Sequence, residues 1–168
     1  ACVTCHHPVQ GTGDGLELPI GTGGLGLGPA RVFAGTRQVL VPRNATPVYN
    51  LGLDGMDVMF WDGRVALLPD GQFDSPANDD LPYNLNNAIA VQAMFPVTSP
   101  DEMRGHPGDT DVFGERNEMG NLKGHQAVMM WNGLMAELLA VPAYQALFQA
   151  AYPGVPLDAL NFGHAANA

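Results

Sequence analysis

Two cysteines near the start of the chain, Cys2 and Cys5, stand three positions apart, and His6 follows the second directly. This CxxCH spacing is the attachment pattern of c-type haem. Each thiol adds across one vinyl group of the same porphyrin, and the macrocycle is then held over the histidine, which can bind the iron from the proximal side. A chain with this motif has to fold around a covalently bound haem c.

Other uses of the same residue types are less consistent with the sequence. A structural zinc site takes about four ligands, but the chain has only two cysteines. A thioredoxin-like CxxC should follow a strand and stand at the start of a helix. Residues 21–26 match GxGxxG, but Pro29 follows and no helix opens there, so nucleotide binding is not indicated. His125 and His164 are candidate iron or metal ligands, although a lone histidine is more often a packed or solvated residue.

Composition limits the class of protein. The chain has 168 residues, 46% of them hydrophobic, which is enough for one domain with a core, and we expect residues 1–168 to form a single haem domain. A formal charge of -10 argues against nucleic acid and favours a cationic partner such as a small electron-donor protein. No apolar run approaches the roughly 20 residues of a membrane span. Because haem is attached covalently outside the cytoplasm, we expect a periplasmic location.

The CxxCH motif and the hydrophobic periodicity together predict a mainly α, c-type cytochrome-like haem domain with long Gly/Pro-rich loops. Helices are expected over residues 84–95, 126–139 and 143–151, loops over residues 8–50 and 100–123, and a strand only over residues 37–41. Asp158 is expected to cap a last helix. Because the chain starts at the haem motif and stops early in that helix, we expect it to be a fragment of a longer protein.

Three further motifs follow CxxCH in a fixed order. They are RNATPVYN at residues 43–50, FWDGR at residues 60–64 and SPDEM at residues 99–103. Together they resemble the motifs of the bacterial di-haem cytochrome c peroxidase and MauG family, over essentially the whole chain. The resemblance implies the amino-terminal, peroxide-reacting haem domain, with a second haem domain after residue 168. An insertion at about residues 67–87 lengthens the separation of the last two motifs relative to the shorter peroxidases.

The resemblance also implies roles for particular side chains. Glu102 matches the acid–base catalyst that moves a proton between the peroxide oxygens, since a carboxylate in an apolar haem pocket has a raised pKa. His106, on the same loop, is its nearest rival. Trp61 matches the tryptophan that relays electrons between the two haems. Asn44 matches a ligand of the calcium ion between the domains, for which an amide oxygen is suitable.

The expected activity is that of a peroxidase-class oxidoreductase. It reduces hydrogen peroxide to water with electrons that a small donor, such as a cytochrome c or cupredoxin, delivers through the second haem domain. The alternatives are MauG-like oxidation of a partner protein, and a monohaem electron-transfer cytochrome c whose iron has a sixth ligand. The chain has no histidine between Pro8 and Gly105, which favours an iron open to peroxide, although a methionine, His106 or His125 could fill the sixth position.

Overall fold

The chain folds as two units that both draw on separate stretches of sequence. Ala1–Leu53 and Ser99–Asn121 make up the motif unit, named for the CxxCH segment that it contains, and Asp54–Thr98 and Leu122–Ala168 make up the helical unit. Among the described residues, helices and helical turns outnumber strands, and each strand has two or three residues. The computed structural model describes residues 2–34, 37–111 and 113–168.

The helical unit contains a small antiparallel sheet. Its order follows the chain: β3 (Val58–Met59) pairs with β4 (Val65–Leu67), which pairs with β5 (Phe73–Asp74). Met59 lies opposite Val65, and both side chains are buried. The sheet therefore presents one apolar face to the core of this unit.

Four α-helices complete the helical unit, and polar caps or prolines fix where three of them begin. They are α1 (Ala88–Ala93), α2 (Ala127–Leu139), α3 (Pro142–Ala151) and α4 (Phe162–Ala166). The Asn87 side chain accepts a hydrogen bond from the Ala90 amide at 2.8 Å, and that of Asn161 accepts one from Gly163 at 3.0 Å, which satisfies otherwise unpaired first-turn donors. Pro142 stands in the first turn of α3, where its missing N–H costs nothing.

The core of the helical unit has two parts. The first joins the sheet, α1 and α2, and its buried side chains are Met59, Val65, Leu85, Ala88, Ala90, Val91, Met94 and Trp131. The second consists of Met135, Phe148 and Leu160 from α2, α3 and the segment before α4. The Trp131 indole N–H donates to the Met94 carbonyl at 2.8 Å, so the buried ring ties α2 to the end of α1 without leaving its polar atom unpaired.

The motif unit is organised differently, with few apolar contacts. It contains β1 (Gly24–Leu25) paired antiparallel with β2 (Val32–Phe33), a bridge between Ile20 and Leu40, and several short helical turns. Pro19 and Ile20 are its only buried apolar side chains among the described residues. This unit is held mainly by polar and backbone contacts.

The observed elements correct several expectations. Helices are confirmed near residues 126–139 and 143–151, while the helix expected over 84–95 is shorter, because Asn87 caps it and Pro96 follows it. The strand expected over 37–41 is only the bridge at Leu40, and β1–β5 were not expected. The segment 100–123, expected to be a loop, begins with a π-helical turn, Pro100–Arg104. The Asp158 cap is wrong: Leu157–Ala159 is a 3-10 turn, and Asn161 caps α4 instead.

Candidate functional site

The CxxCH segment forms one tight turn. Cys2–Thr4 is a 3-10 turn, and the Cys2 carbonyl accepts hydrogen bonds from the amides of Cys5, at 3.2 Å, and His6, at 2.8 Å. Both cysteines are free thiols; Cys2 is exposed and Cys5 is half-buried. The sequence thus brings two free thiols and an imidazole together on a single turn.

The His6 ring is held by two backbone carbonyls. Its Nδ1 lies 3.1 Å from the Thr12 oxygen and 3.0 Å from the Thr46 oxygen. A carbonyl oxygen only accepts, so Nδ1 carries the proton and the neutral ring keeps its lone pair on Nε2. Within the residues that the structure describes, Nε2 has no hydrogen-bond partner. This is the arrangement of a metal-binding histidine, because a hydrogen bond at the other nitrogen fixes the tautomer and raises its basicity.

The apolar surface of the motif unit also fits a haem. Many large hydrophobic side chains of this unit are exposed, including Val9, Leu25, Leu27, Val32, Leu40, Val48 and Phe113. Burial of apolar surface is the main stabilising contribution in a domain, and only two apolar side chains are fully buried in the described part of this unit. A porphyrin attached to Cys2 and Cys5 offers the apolar faces that this unit lacks, so the residues present fit the group.

The Cys5 thiol shows which charges lie near the attachment point. Its pKa is raised, first by burial and further by the negative charges of Asp14 and Glu102, while the Arg31 guanidinium opposes the shift. The Glu102 charge is therefore close enough to act on Cys5. Glu102 and the haem motif belong to the same unit.

Glu102 itself lies in the π-helical turn Pro100–Arg104, which the amides of Met103 and Arg104 close onto the Ser99 carbonyl at 3.1 and 2.9 Å. Its side chain is exposed. The rival His106 is placed differently, because its Nε2 lies 2.8 Å from the Asp101 carboxylate.

Trp61 belongs to the helical unit and stands at the tip of a strongly constrained turn between β3 and β4. Phe60 has a φ of 62°, which is uncommon for a bulky residue. Arg64, at the end of the turn, stabilises it through contacts with Phe60 and Asp62. The Arg64 guanidinium lies 3.9 Å from the Phe60 ring centroid and 3.1 Å from the Asp62 carboxylate. The turn presents Trp61 outward, with 68% of its surface exposed.

Asn44 lies in the motif unit, at the edge of an open cleft of about 610 Å³. The residues that line the cleft include Gln10, Glu17, Asn44 and Thr46. In the described part of the chain no group of three or more His, Cys, Asp or Glu side chains gathers to hold a metal ion. A calcium ligand role for Asn44 stays a prediction.

The two remaining candidate histidines have other surroundings. His164 is buried in α4, where its Nδ1 accepts the Asn161 amide at 3.1 Å and its ring packs edge-on against Tyr152. Its carbonyl accepts the Tyr152 hydroxyl at 2.7 Å. His125 is exposed in the 3-10 turn Gly124–Gln126. His164 therefore serves the packing of the helical unit.

Sequence reasoning missed the residues that hold the segment around Glu102. Arg37 and Asp109 form an ion pair at 2.6 Å, and Thr22 donates to the backbone of the π-helical turn. Thr22 falls within the GxGxxG match, and its role in the structure is to hydrogen-bond the carbonyls of Pro100 and Asp101. A lone threonine among glycines gives no signal of its own, because its partners are backbone oxygens.

Comparisons with known proteins agree with the motif order. The model of the family described as di-haem cytochrome c peroxidase matches residues 1–168, which confirms the resemblance. The methylamine utilization protein MauG of Methylorubrum extorquens is 26% identical over 152 residues, covering 90% of this chain and 26% of that protein. The chain thus spans about a quarter of the length of that relative. No solved structure matches the chain significantly.

Proposed function

The chain belongs to the di-haem cytochrome c peroxidase family, and from this premise we propose that it is the peroxide-reacting haem c domain of an enzyme that reduces hydrogen peroxide to water. The observation that carries the proposal is the CxxCH turn, on which two thiols stand beside the His6 ring, whose Nδ1 is held by two backbone carbonyls. Glu102 belongs to the same unit and offers the carboxyl group that proton transfer to peroxide requires.

Each group of the site has a defined task. Cys2 and Cys5 would hold the haem by thioether bonds, and the His6 Nε2 lone pair would bind its iron. The haem would supply a redox-active iron for the reduction of peroxide. The Nδ1–H bonds of His6 to Thr12 and Thr46 increase the electron donation of the ring.

Glu102 transfers a proton between the two peroxide oxygens. Breaking the O–O bond leaves negative charge on the departing oxygen, which needs a proton as that charge develops. A Glu102 carboxylate oxygen takes the proton from the inner peroxide oxygen and returns it to the outer one. General acid–base catalysis of this kind typically increases the rate by about 10²–10⁴. The overall reaction consumes two electrons and two protons per peroxide and yields two waters.

The partners follow from this reaction. The electrons come from a small donor protein by way of a second haem domain, and the charge of -10 attracts a cationic donor. Asn44 contributes to a calcium site between the two haem domains. Covalent attachment of haem sets the location in the periplasm, and no described helix is long and apolar enough to cross a membrane.

A second candidate is favoured by the 26% identity to MauG: oxidation of residues on a partner protein. The haem site would be the same, and the source of the electrons would differ. A donor protein gives up two electrons per peroxide in one case, and a substrate protein gives them up in the other.

The test uses the complete, haem-loaded protein with a reduced cytochrome c or cupredoxin. Intact mass after extraction with acid and organic solvent should exceed the polypeptide by one haem at this domain, and the Cys2→Ala/Cys5→Ala variant should lose that haem. We expect two donor equivalents to be oxidised per peroxide consumed. Peroxide consumption without donor oxidation would favour the partner-oxidising enzyme, and a protein that consumes no peroxide would be an electron-transfer cytochrome.

A further inference from the structure

The glycine-rich loop makes close backbone contact with the turn that carries Glu102. The Thr22 amide donates to the Asp101 carbonyl at 2.7 Å, and its hydroxyl donates to the Pro100 carbonyl at 3.0 Å. The neighbouring Gly21 packs so tightly that an added Cβ would collide with the Asp101 carbonyl oxygen. A glycine and a threonine at these two positions thus fit the backbone on which Glu102 is built.

Arg31 stabilises the part of the loop around Gly21 through three hydrogen bonds to backbone carbonyls. Its Nε donates to the Ile20 carbonyl at 2.7 Å and one Nη donates to the Gly21 carbonyl at 2.8 Å, while the other reaches Gly26 at 3.0 Å. The Gly21 amide in turn donates to the Val39 carbonyl at 2.9 Å. A planar guanidinium with several fixed donors is suited to holding a loop in one conformation.

Polar contacts hold the turn at both ends, since the Asn117 side chain donates to the Arg104 carbonyl at its end at 2.7 Å. None of the residues of Pro100–Arg104 is buried, so apolar packing does not fix its geometry. Its own amides close onto Ser99, and the Asp101 side chain is engaged by His106 at 2.8 Å. The Thr22 bonds act on the two carbonyls directly before Glu102, which sets the direction in which the next side chain leaves the backbone.

We infer that Thr22 is a positioning residue for Glu102, acting through the backbone of Pro100 and Asp101. The inference rests on the proposed acid–base role of Glu102. Thr22 does not exchange a proton with peroxide; it keeps the carboxylate where the exchange takes place. Loss of its hydroxyl should therefore loosen the turn and slow proton transfer, while peroxide binding stays as it is.

Hydrogen exchange in the complete, haem-loaded protein tests whether the Thr22 hydroxyl stabilises the turn. Thr22→Val keeps the amide and the shape of the side chain but removes the hydroxyl donor. We expect the Met103 and Arg104 amides to exchange about three- to tenfold faster, as loss of one hydrogen bond predicts, and Thr22→Ser to restore protection. The matched control is Thr110→Val, since the exposed Thr110 hydroxyl has no hydrogen bond among the described residues. Unchanged exchange in Thr22→Val would overturn the inference.

Gly21→Ala gives a second approach to the same turn. Its methyl group would press on the Asp101 carbonyl, whereas Gly124→Ala adds the same methyl where no described atom lies within 4 Å. Gly21→Ala should accelerate exchange at Met103 and Arg104, and Gly124→Ala should leave it unchanged. Equal effects of the two substitutions would contradict a specific contact.

Peroxide kinetics test the functional half. In Thr22→Val the rate constant at saturating peroxide should fall about tenfold, as expected for a misplaced catalytic group, with KM unchanged and with recovery in Thr22→Ser. If the Met103 and Arg104 amides of Thr22→Val exchange faster but the rate constant at saturating peroxide and its pH dependence are unchanged, Thr22 does not position Glu102. If the unaltered protein fails to react with peroxide, the proposed function is wrong, and the exchange data alone then decide whether Thr22 holds the turn.

Discussion

Glu102 is the side chain on which the proposed chemistry depends most. Glu102→Gln preserves the size of the side chain and removes its ability to exchange a proton. In the complete protein, the rate at which peroxide changes the haem spectrum should fall by about 10²–10⁴, the usual contribution of general acid–base catalysis. Stopped-flow mixing measures this rate. The spectrum of the resting haem and the thermal unfolding should change little.

His106→Gln is the matched control for Glu102→Gln. His106 lies on the same segment, but its Nε2 contacts the Asp101 carboxylate at 2.8 Å, and a glutamine amide can replace that donor. We expect a rate close to that of the unaltered protein. An unimpaired Glu102→Gln protein together with a slow His106→Gln protein would transfer the proton-shuttle role to His106.

Individual residues differ in how much their sequence context reveals. Cys2, Cys5 and His6 are recognisable because the chemistry of haem attachment demands one spacing, and the structure adds only the tautomer of His6. Thr22 and Arg31 are not recognisable, because their partners are backbone carbonyls, which every residue has. The roles of Glu102, Trp61 and Asn44 came from motif order, and these roles and the haem-binding roles of Cys2, Cys5 and His6 all stay predictions.

The segment after the Glu102 turn is organised around Asp109. Both oxygens of its carboxylate accept from Arg37, at 2.6 and 2.7 Å, and one also accepts the His106 amide at 2.8 Å. Partial burial acts to raise the pKa of this carboxyl, but the bonds from His106 and Arg37 outweigh it, and the pKa lies below its usual value of 3.8.

This lowered pKa predicts acid sensitivity of the segment. A carboxyl whose pKa is lower in the folded state stabilises the fold fully above its unfolded value of 3.8 and loses that contribution as the pH falls through the folded pKa. As the pH is lowered from 6 to below about 4, protection of the His106 and Asn117 amides relative to the intrinsic exchange rate should therefore fall more in the unaltered protein than in Asp109→Asn. Asp79→Asn, which alters an exposed carboxylate without a hydrogen bond among the described residues, should leave the pH dependence unchanged.

The junction of α1 and α2 depends on one buried indole. Trp131 is 2% exposed, and its N–H occupies the Met94 carbonyl. Trp131→Phe leaves that buried carbonyl without its donor and should lower the free energy of unfolding by about 1–3 kcal/mol. Urea unfolding measures the loss. Trp61→Phe is the same substitution at a side chain that is 68% exposed, and it should change stability by less than about 0.5 kcal/mol.

Local sequence predicts some elements better than others for physical reasons. Helices α2 and α3 were predictable because their apolar residues recur at helical spacing and Pro142 marks a start. The strands of two or three residues are too short for an alternating pattern to show. The last helix was misplaced because Asp158 and Asn161 are both good caps, and only the folded chain shows that Leu157–Ala159 takes a separate 3-10 turn.

Across the whole chain, the two units differ in the interactions that stabilise them. Side-chain packing stabilises the helical unit. The motif unit has only Pro19 and Ile20 as buried apolar side chains among its described residues. The fold of the motif unit could not be predicted from hydrophobic pattern because so few of its described apolar side chains are buried, and the haem of the proposed function would supply the missing apolar partner.

Trp61 connects this chain to the rest of the protein in the proposed reaction. The FWDGR turn holds the indole outward through Asp62, Arg64 and the strained Phe60, which suits a group that exchanges electrons with a partner domain. Trp61→Phe keeps an aromatic ring of similar shape but is much harder to oxidise. In the complete protein, steady-state turnover with the donor should fall at least about tenfold, a barrier increase of about 1.4 kcal/mol, while the first reaction of peroxide with this haem stays near normal.

Steady-state and stopped-flow measurements on the same preparation separate the two steps. Trp131→Phe serves as the control, since it weakens the fold of the same unit without altering the exposed indole. It should leave the ratio of turnover to the first peroxide reaction unchanged at temperatures where the protein stays folded. If Trp61→Phe slows both steps equally, Trp61 supports the structure and another route carries the electrons.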